Sequence, residues 1–301
     1  MINIVGKRKW LFLISAVVIV PGIISLAIFG LDPGVDFSSG TSMTLRFDTA
    51  VEQSRLRQEF INLGYDNAVI QRTDEIDFFV RINEITTEDR QALVQGLESA
   101  LSTEVLVRDF YTVSPIIATE TGRNAAIAVG IAALAMLIYI AWAFRRMPRP
   151  FRWGVCAIIA LIHDIMVVVG IFSILGAAAG IQIDAMFITA MLTVVGYSVN
   201  NTVVVFDRIR ENHSKGIGKD FESTVNVSIL ETLGRSLNTS ITTLFVILAI
   251  LLFGGVTIRY FVLVLLIGVI AGTYSSVFIA GPLLVVWDKS RLRSLFAREP
   301  A

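Results

Sequence analysis

Residues 185–212 read AMFITAMLTVVGYSVNNTVVVFDRIREN and contain the features that decide the fold. The first part, 185–206, is mostly apolar and uncharged, and a helix of that length crosses the roughly 30 Å hydrocarbon layer of a bilayer. The next residues, 207–211, carry four charges. The stretch therefore predicts a membrane-spanning helix that contains several polar residues and ends in a charged segment at the membrane surface.

Five further apolar blocks of similar length accompany this one, so that 54% of the residues are apolar and the mean hydropathy is +0.72. Ordinary globular chains contain about 45–50% apolar residues, which are not gathered into such blocks. We therefore predict an α-helical membrane protein with six spans. The expected parts are a cytoplasmic N-terminus (1–9), the first span (10–30), an extracytoplasmic domain (31–123), a bundle of five spans (124–287) with cytoplasmic loops at 145–152 and 207–232, and a cytoplasmic tail (288–301).

The orientation follows from lysine and arginine residues near the span ends, because these residues favour the cytoplasmic side of a membrane. They are Lys7, Arg8, Lys9, Arg145, Arg146, Arg149, Arg152, Arg208, Arg210, Lys215, Lys219, Lys289, Arg291, Arg293 and Arg298. Both termini are therefore predicted to lie in the cytoplasm. The first apolar block is too long for a cleaved signal peptide and lacks a small-residue cleavage site, so we expect it to remain as a span.

The extracytoplasmic domain alternates between strand-like and helix-like patterns in the order β-α-β-β-α-β, which is typical of a ferredoxin-like α+β layout. Strands are predicted at 41–48, 67–72, 76–82 and 104–113, and helices at 52–63 and 86–101. The region 31–123 has 16 acidic and 8 basic residues. A solvated face explains this surplus, and contact with a partner is the alternative. Its sequence shows no nucleophile triad and no group of metal ligands, so no cofactor and no metal are expected.

Polar side chains within the spans need a reason, because a charge at the bilayer centre costs about 3 kcal/mol. In the fourth span, Tyr197 and Asn201 are four residues apart and share one helix face. In the fifth span, Arg235 and Thr239 lie among other hydroxyl and amide side chains. Hydrogen bonds between helices, and an arginine that reaches to the interface, are the ordinary explanations. A polar pathway lined by these side chains is the functional alternative.

The third span contains His163 and Asp164 after a run of apolar residues. A buried pair of this kind is either a satisfied structural contact or a group that carries or senses protons, since histidine titrates near neutral pH. No glycine-rich phosphate loop is present in the sequence. Any work done by the chain would therefore draw on another source, such as a membrane potential worth about 2.3 kcal/mol per charge per 100 mV.

Several motifs together resemble the SecD/SecF family of the bacterial Sec protein-export machinery, and within it the SecF-type chains. The stretch GYSVNNTVVVFDRIREN at 196–212 is similar to the most specific motif of the family. The other motifs are GVDFSSGT at 34–41, ALIHD at 160–164, and Arg235 followed by NTSITTL at 238–244. The resemblance covers nearly the whole chain.

The resemblance implies a membrane fold of the RND transporter type in the bacterial plasma (inner) membrane. SecF-type chains pair with a homologous SecD chain, associate with the SecYEG channel, and act on exported polypeptide after the ATPase SecA has driven the early stage. They are expected to use the proton motive force, with an extracytoplasmic domain that moves and a membrane part that couples protons to that motion. The chain is therefore not expected to be an enzyme.

This sequence departs from the family pattern at the residue of greatest interest. The family usually has aspartate where this chain has Asn201, and that aspartate is the expected proton carrier, facing the arginine that corresponds to Arg235. An asparagine side chain cannot take up and release a proton in this range. Either the membrane aspartate of SecD carries the proton alone, or another residue such as Asp164 replaces it. The glycine pair of the first motif reads Ser39-Gly40 here, which we expect to matter little.

Two other functions compete with the export subunit. One is a homodimeric small-molecule exporter of the RND type, because six spans with one outside domain make half of such a pump. The other is an intramembrane enzyme, which is disfavoured because the sequence offers no plausible nucleophile pair or metal set. Copurification of a SecD-like chain, rather than a stable transporting homodimer, separates the first two functions.

Overall fold

Long helices dominate the computed structural model, which describes residues 3–147, 149–255 and 258–296, with side chains up to Asp288. The helices are α1 (Arg8–Phe29), α2 (Val35–Ser38), α3 (Gln53–Asn62), α4 (Thr87–Leu101), α5 (Pro115–Ala143), α6 (Pro150–Ala179), α7 (Ala185–Ser214), α8 (Phe221–Phe253), α9 (Arg259–Ser275) and α10 (Gly281–Phe296). A π-helical turn, Ser276–Ala280, joins α9 to α10. Within the described residues six helical segments are long and apolar enough to cross a membrane, as predicted.

The chain divides into two compact units. Among the described residues, the membrane unit contains those up to Leu31, those of Ile127–Ala179, and those from Met186 onward. The sheet unit contains Asp32–Ala126 together with Gly180–Ala185. The sequence predicts a separate domain over 31–123, but it gives no sign that the short turn between the third and fourth spans belongs to the same unit.

The predicted loop at 207–232 differs most from the structure, because most of it is helical. Helix α7 continues to Ser214 and α8 begins at Phe221, which leaves only residues 215–220 as a connection. An ion pair of Arg208 with Glu231 at 2.7 Å joins the two charged helix ends, and Arg208 also pairs with Glu211 of its own helix at 2.6 Å. Polar residues mark where a span leaves the hydrocarbon layer, but they do not end a helix whose backbone remains hydrogen-bonded.

Small residues let the membrane helices approach each other closely. A Cβ atom added to Gly22 of α1 would lie 2.7 Å from the Cα atom of Gly170 in α6, and a Cβ atom on Gly268 of α9 would overlap Val194 of α7. Three aromatic rings, those of Phe144, Trp153 and Phe206, pack together in the same unit at centroid distances of 5.2–5.9 Å. Phe144 and Trp153 are stacked, and Phe206 meets both of them edge to face. Backbone proximity and aromatic packing therefore fix where the polar side chains of α1, α6, α7 and α9 meet.

The sheet unit has the predicted order of strands and helices from its first strand onward. Its strands are β1 (Gly40–Phe47), β2 (Val69–Arg72), β3 (Asp77–Ile82) and β4 (Val105–Val113). They form an antiparallel sheet in the order β2-β3-β1-β4. Alternate apolar residues of β1 and β3 face a core that also receives Leu56 and Phe60 of α3 and Leu93 and Leu97 of α4. The helix predicted from residue 86 begins with a capping box between Thr86 and Asp89.

Candidate functional site

The side chain of Asp164 is fully buried within the membrane unit. Its Oδ2 atom accepts hydrogen bonds from the Ser198 hydroxyl of α7 at 2.5 Å and from the Ser275 hydroxyl of α9 at 2.8 Å. The apolar periodicity of α6 turns this residue away from lipid and toward its neighbouring helices. Two hydroxyl donors from two other helices therefore surround a carboxylate that water does not reach.

His163 extends this network to a fourth helix. Its Nδ1 atom lies 3.0 Å from Oδ1 of Asp164, and its Nε2 atom lies 2.9 Å from the hydroxyl of Ser15 in α1. The ring of Tyr274 stacks on the imidazole at a centroid distance of 6.1 Å, and its hydroxyl donates to the carbonyl of Leu11. Both ring nitrogens of His163 therefore have partners that suit a neutral or a protonated imidazole, because a serine hydroxyl can donate or accept.

His163 and Asp164 share one hydrogen bond. An imidazole and a carboxylate that share a hydrogen bond can hold one proton on either Nδ1 of His163 or Oδ1 of Asp164. The hydroxyls of Ser198 and Ser275 stabilise the charged carboxylate, and rotation of either hydroxyl changes that stabilisation. We define Ser15, His163, Asp164, Ser198 and Ser275 as the Asp164 network.

The π-helical turn directly follows the last member of this network. Ser276, its first residue, receives a hydrogen bond from Thr202 of α7 at 3.2 Å and also contacts the carbonyl of Ser198. Turns of this kind interrupt α-helices at functional sites more often than elsewhere. The turn here lies where α9 meets Ser198 and Thr202 of α7, so a change in helical register would alter the bonds to Asp164.

Asn201 does not belong to the Asp164 network. It is only 4% exposed, yet its Nδ2 atom has no hydrogen-bond partner among the described residues. The predicted neighbour Tyr197 instead donates its hydroxyl to Ser240 of α8 at 2.9 Å, and Ser240 lies 2.6 Å from the Thr273 hydroxyl of α9. The Ser236 hydroxyl, one helical turn before Ser240, is likewise buried and unpaired within the described chain.

Arg235 and Thr239 lie on an exposed face of α8. The Thr239 hydroxyl donates to the carbonyl of Arg235 in its own helix at 3.0 Å. The ion pairs found among the described residues do not include Arg235. The predicted set of Asn201, Arg235, Tyr197, Thr239 and Asp164 is therefore not brought together as one site by hydrogen bonds within the described chain.

The exposed residues of α8 form a polar stripe. Arg235, Asn238, Thr239 and Thr242 follow each other at spacings that place them on one side of a helix, and all four are exposed. A membrane helix that faces lipid normally presents apolar side chains there, since polar ones are costly in hydrocarbon. We call these four residues the α8 polar stripe, and its composition differs from that of a helix face that contacts lipid.

Sequence reasoning missed three of the five members of the Asp164 network. Ser15, Ser198 and Ser275 are hydroxyl residues in apolar helices, and such side chains often bond to the backbone of their own helix. Because a buried carboxylate needs hydrogen-bond donors, the sequence could have indicated that hydroxyls from other spans meet Asp164. The sequence does not show which hydroxyls those are.

Comparisons with known proteins agree with the motifs. A family model described as "Protein export membrane protein SecD/SecF, C-terminal" matches residues 94–290, and the SecD/SecF GG motif matches residues 24–51. The protein translocase subunit SecF of Thermobaculum terrenum is 44% identical, over 99% of this chain and 98% of its own length. The chain belongs to the SecD/SecF family. The corresponding SecF of Anaerolinea thermophila is 45% identical over the same shares of the two chains.

Family members also include longer chains and solved structures. Protein translocase subunit SecDF of Bacillus subtilis is 32% identical over 96% of this chain, which spans 38% of that relative. The crystal structure of SecDF from Thermus thermophilus, described as a translocon-associated membrane protein, matches 96% of this chain with a TM-score of 0.85 and 34% identity. This chain spans 39% of that structure. The likeness confirms the predicted fold class of membrane helices with a small α+β part.

Proposed function

We propose that this chain acts as the SecF-type subunit of a Sec protein translocase and pairs with a SecD chain. The observation that carries the proposal is the 44% identity to a protein translocase subunit SecF over nearly the full length of both chains. In relatives named SecDF, the region that matches this chain is little more than a third of the whole. That joint name supports a SecD partner for a chain that contains the SecF part.

The α8 polar stripe supports this pairing. Arg235, Asn238, Thr239 and Thr242 form an exposed polar surface on a membrane helix, and a polar or acidic surface of SecD would satisfy it. Asn201 and Ser236 add buried polar atoms without partners in the described chain. The region around Asn201 and the α8 polar stripe is therefore half of a site, and SecD would supply the other half.

Proton coupling is the second part of the proposal. Because Asn201 cannot titrate, we assign the proton of this half to Asp164 and His163, which share a hydrogen bond of 3.0 Å inside the membrane unit. A membrane aspartate of SecD, opposite Arg235, would carry a second proton or the only one. The chain thus contributes an acid–imidazole pair, and the proton motive force would supply the energy for late steps of export.

The remaining assignments follow from the resemblance and the charge pattern. The complex would associate with the SecYEG channel in the bacterial plasma membrane and receive exported polypeptide whose early movement depends on SecA. Both termini would lie in the cytoplasm, since arginine residues such as Arg145, Arg146 and Arg149 gather on that side. The work would be transport rather than enzymatic conversion.

Two measurements test this function. Purification of the tagged chain from its native membrane should recover SecD in comparable amount. Preprotein translocation into inverted membrane vesicles should be faster with the chain than without it, and an uncoupler should remove the difference. A stable homodimer that exports small molecules without SecD would instead support the RND-type exporter, and an uncoupler-resistant stimulation would contradict proton coupling.

A further inference from the structure

The N-terminus of α7 is capped by a residue that is distant in sequence. The backbone N–H of Ala185, the first residue of α7, donates to Oδ2 of Asp36 at 2.8 Å. A helix leaves its first N–H groups without partners and carries a partial positive charge at that end, so a carboxylate there supplies both an acceptor and an opposite charge. Asp36 lies in α2, within the region that matches the GG motif.

The turn before α7 is also fastened to the chain before α2. The N–H of Gly34 donates to the carbonyl of Ile183 at 2.7 Å, and the N–H of Ile183 donates to the carbonyl of Asp32 at 2.9 Å. Pro33 and Ile183 consequently form a parallel β-bridge. A Cβ atom on Gly34 would lie only 2.9 Å from the Ile183 carbonyl oxygen, which explains why glycine suits this position.

Side chains of the sheet hold the same two segments. Gln71 of β2 donates to the carbonyl of Gly180, and Arg81 of β3 donates to the carbonyl of Pro33 at 2.5 Å. From β4, Tyr111 reaches Asp36, and burial together with that carboxylate raises the pKa of Tyr111 above its ordinary value. Contacts from three strands and two backbone segments therefore converge around the first residue of α7.

We propose that Asp36 and the Pro33–Ile183 bridge form a rigid clamp within the sheet unit, which fixes Gly180–Ala185 and with it the first residue of α7, so that movement of this helix moves the sheet. Asp36 is a positioning residue in this role. The proposal rests on the proposed function, because it supplies the link between the proton site and the moving domain. Chain continuity carries the motion: Ser198, which donates to Asp164, and Ala185 belong to the same helix.

If the clamp transmits movement because it is rigid, weakening it should impair export, whereas cross-linking it should not. Asp36→Ala removes the cap and should lower gradient-dependent export about 5- to 150-fold, the usual range of a coupling between sites. A disulfide between Pro33→Cys and Ile183→Cys should lock the joint without loss, because residues paired in a β-bridge lie within the distance that a disulfide spans. The same disulfide should restore export to the Asp36→Ala variant, and a reductant should abolish the rescue.

The chain offers a clean background for this experiment. Its only cysteine is the buried Cys156, and Cys156→Ala gives the parent for all variants. A disulfide between Thr49→Cys and Thr103→Cys is the matched control, since the two hydroxyls already meet at 3.1 Å elsewhere in the sheet unit. That control disulfide should neither impair the parent nor rescue Asp36→Ala.

Three results would overturn the clamp: full export by Asp36→Ala, loss of export on oxidation of the Pro33–Ile183 cysteine pair alone, or failure of that disulfide to rescue. Hydrogen exchange gives a readout that does not depend on export. Asp36→Ala should accelerate exchange at the first amides of α7, Met186 to Ile188, while β1 and β3 keep their protection. Unchanged exchange there would also overturn the clamp, whereas uncoupler-resistant export by the parent would contradict the proposed function and leave the exchange result intact.

Discussion

The two polar regions of the membrane unit differ in how completely this chain satisfies them. Asp164 is fully buried, and hydroxyls from two other helices and an imidazole contact both of its oxygens. At Asn201 and the α8 polar stripe, by contrast, a buried amide nitrogen lacks a partner in the described chain and Arg235 is exposed. The first region is complete within one chain, and the second has the composition of an interface.

The two regions meet two different requirements of a proton-coupled subunit. A proton carrier needs a titratable group shielded from water, whereas a partner interface needs polar groups whose partners arrive from another chain. In this chain the acid lies at Asp164 and the arginine lies at Arg235. The proposed function therefore places the proton chemistry of this half at Asp164 and the contact with SecD at the α8 polar stripe.

The largest effect is expected at Asp164. Asp164→Asn keeps the shape and most hydrogen-bond capacity of the side chain but removes its ability to titrate. Gradient-dependent preprotein translocation should fall by about 100-fold, near the upper end of coupling effects between sites. Translocation that depends only on ATP should remain, which can be measured in the same vesicles with an uncoupler present.

Asp164→Glu is the control for this prediction, because it restores a titratable acid with an added methylene. It should recover part of the gradient-dependent rate and shift its pH profile relative to the parent chain. Equal rates for Asp164→Asn and the parent would show that the network is structural only. Proton transfer would then have to be assigned to SecD.

Arg235→Ala tests the other region and should have the next largest effect. Loss of an arginine at a protein interface leaves its acidic partner unpaired, and such truncations weaken binding by about 2 kcal/mol or more. We expect recovery of SecD with the tagged chain to fall at least about tenfold. Quantitative copurification in mild detergent measures this directly.

Thr242→Val is the matched control on the same stripe, since it keeps the size of the side chain and removes no charge. It should reduce copurification far less than Arg235→Ala does. Undiminished recovery of SecD with Arg235→Ala would contradict the assignment of the α8 polar stripe to the SecD interface.

Asn201→Asp should sharpen the contrast between the two regions. The substitution places a titratable group back at the family position, so gradient-dependent export should be preserved or raised, by at most about fivefold on the scale of site couplings. In the Asp164→Asn background it should restore part of the lost rate. A lower export rate for Asn201→Asp in both backgrounds would argue that position 201 no longer takes part in coupling.

The six spans were predicted correctly from the sequence, because the length of an apolar helix follows directly from the thickness of the bilayer. The sequence also predicted the order of strands and helices in the sheet unit, since alternation and helical periodicity differ clearly there. Most of the predicted loop at 207–232 is helical in the structure, because polarity marks the membrane surface rather than a helix end. The number of spans and the order of strands and helices are thus accessible from the sequence alone.

The candidate site was only partly predictable. His163 and Asp164 stand out because charges in a span are rare, but their partners Ser15, Ser198 and Ser275 come from three other helices. Which hydroxyl meets which oxygen depends on helix rotation and on close approaches such as Gly268 against Val194. Those are properties of packing between distant segments, and no local pattern encodes them.

Helix packing around the network gives the next prediction. Gly268→Ala should destabilise the fold by about 1 kcal/mol or more, as overpacking does, because the added methyl would overlap the branched side chain of Val194. Gly196→Ala is the matched control, since a Cβ atom there meets nothing within 4 Å. In thermal unfolding measured in detergent, the midpoint temperature should fall for Gly268→Ala only. Equal midpoints for the two variants would contradict the helix packing that positions Ser198 and Ser275.

The smallest effect concerns a carboxylate with a fixed cationic partner, which serves as a reference for Asp164. Asp77 of β3 accepts from Nε and Nη2 of Arg46 at 2.7 and 2.9 Å, and these bonds lower the pKa of Asp77 below its usual value. Stability from a lowered carboxyl pKa is fully present above the unfolded-state pKa, about 3.9, and is lost as pH falls through the folded-state value. The protection of β1 and β3 amides against hydrogen exchange, relative to the intrinsic rate at each pH, should therefore fall only below about pH 4. Asp77→Asn should remove that acid dependence.

Arg108→Ala, which deletes the weaker partner of Asp77 at 3.5 Å, should keep most of the acid dependence. If gradient-dependent export changes with pH over a range in which the protection of β1 and β3 stays constant, the pH response arises outside the sheet unit.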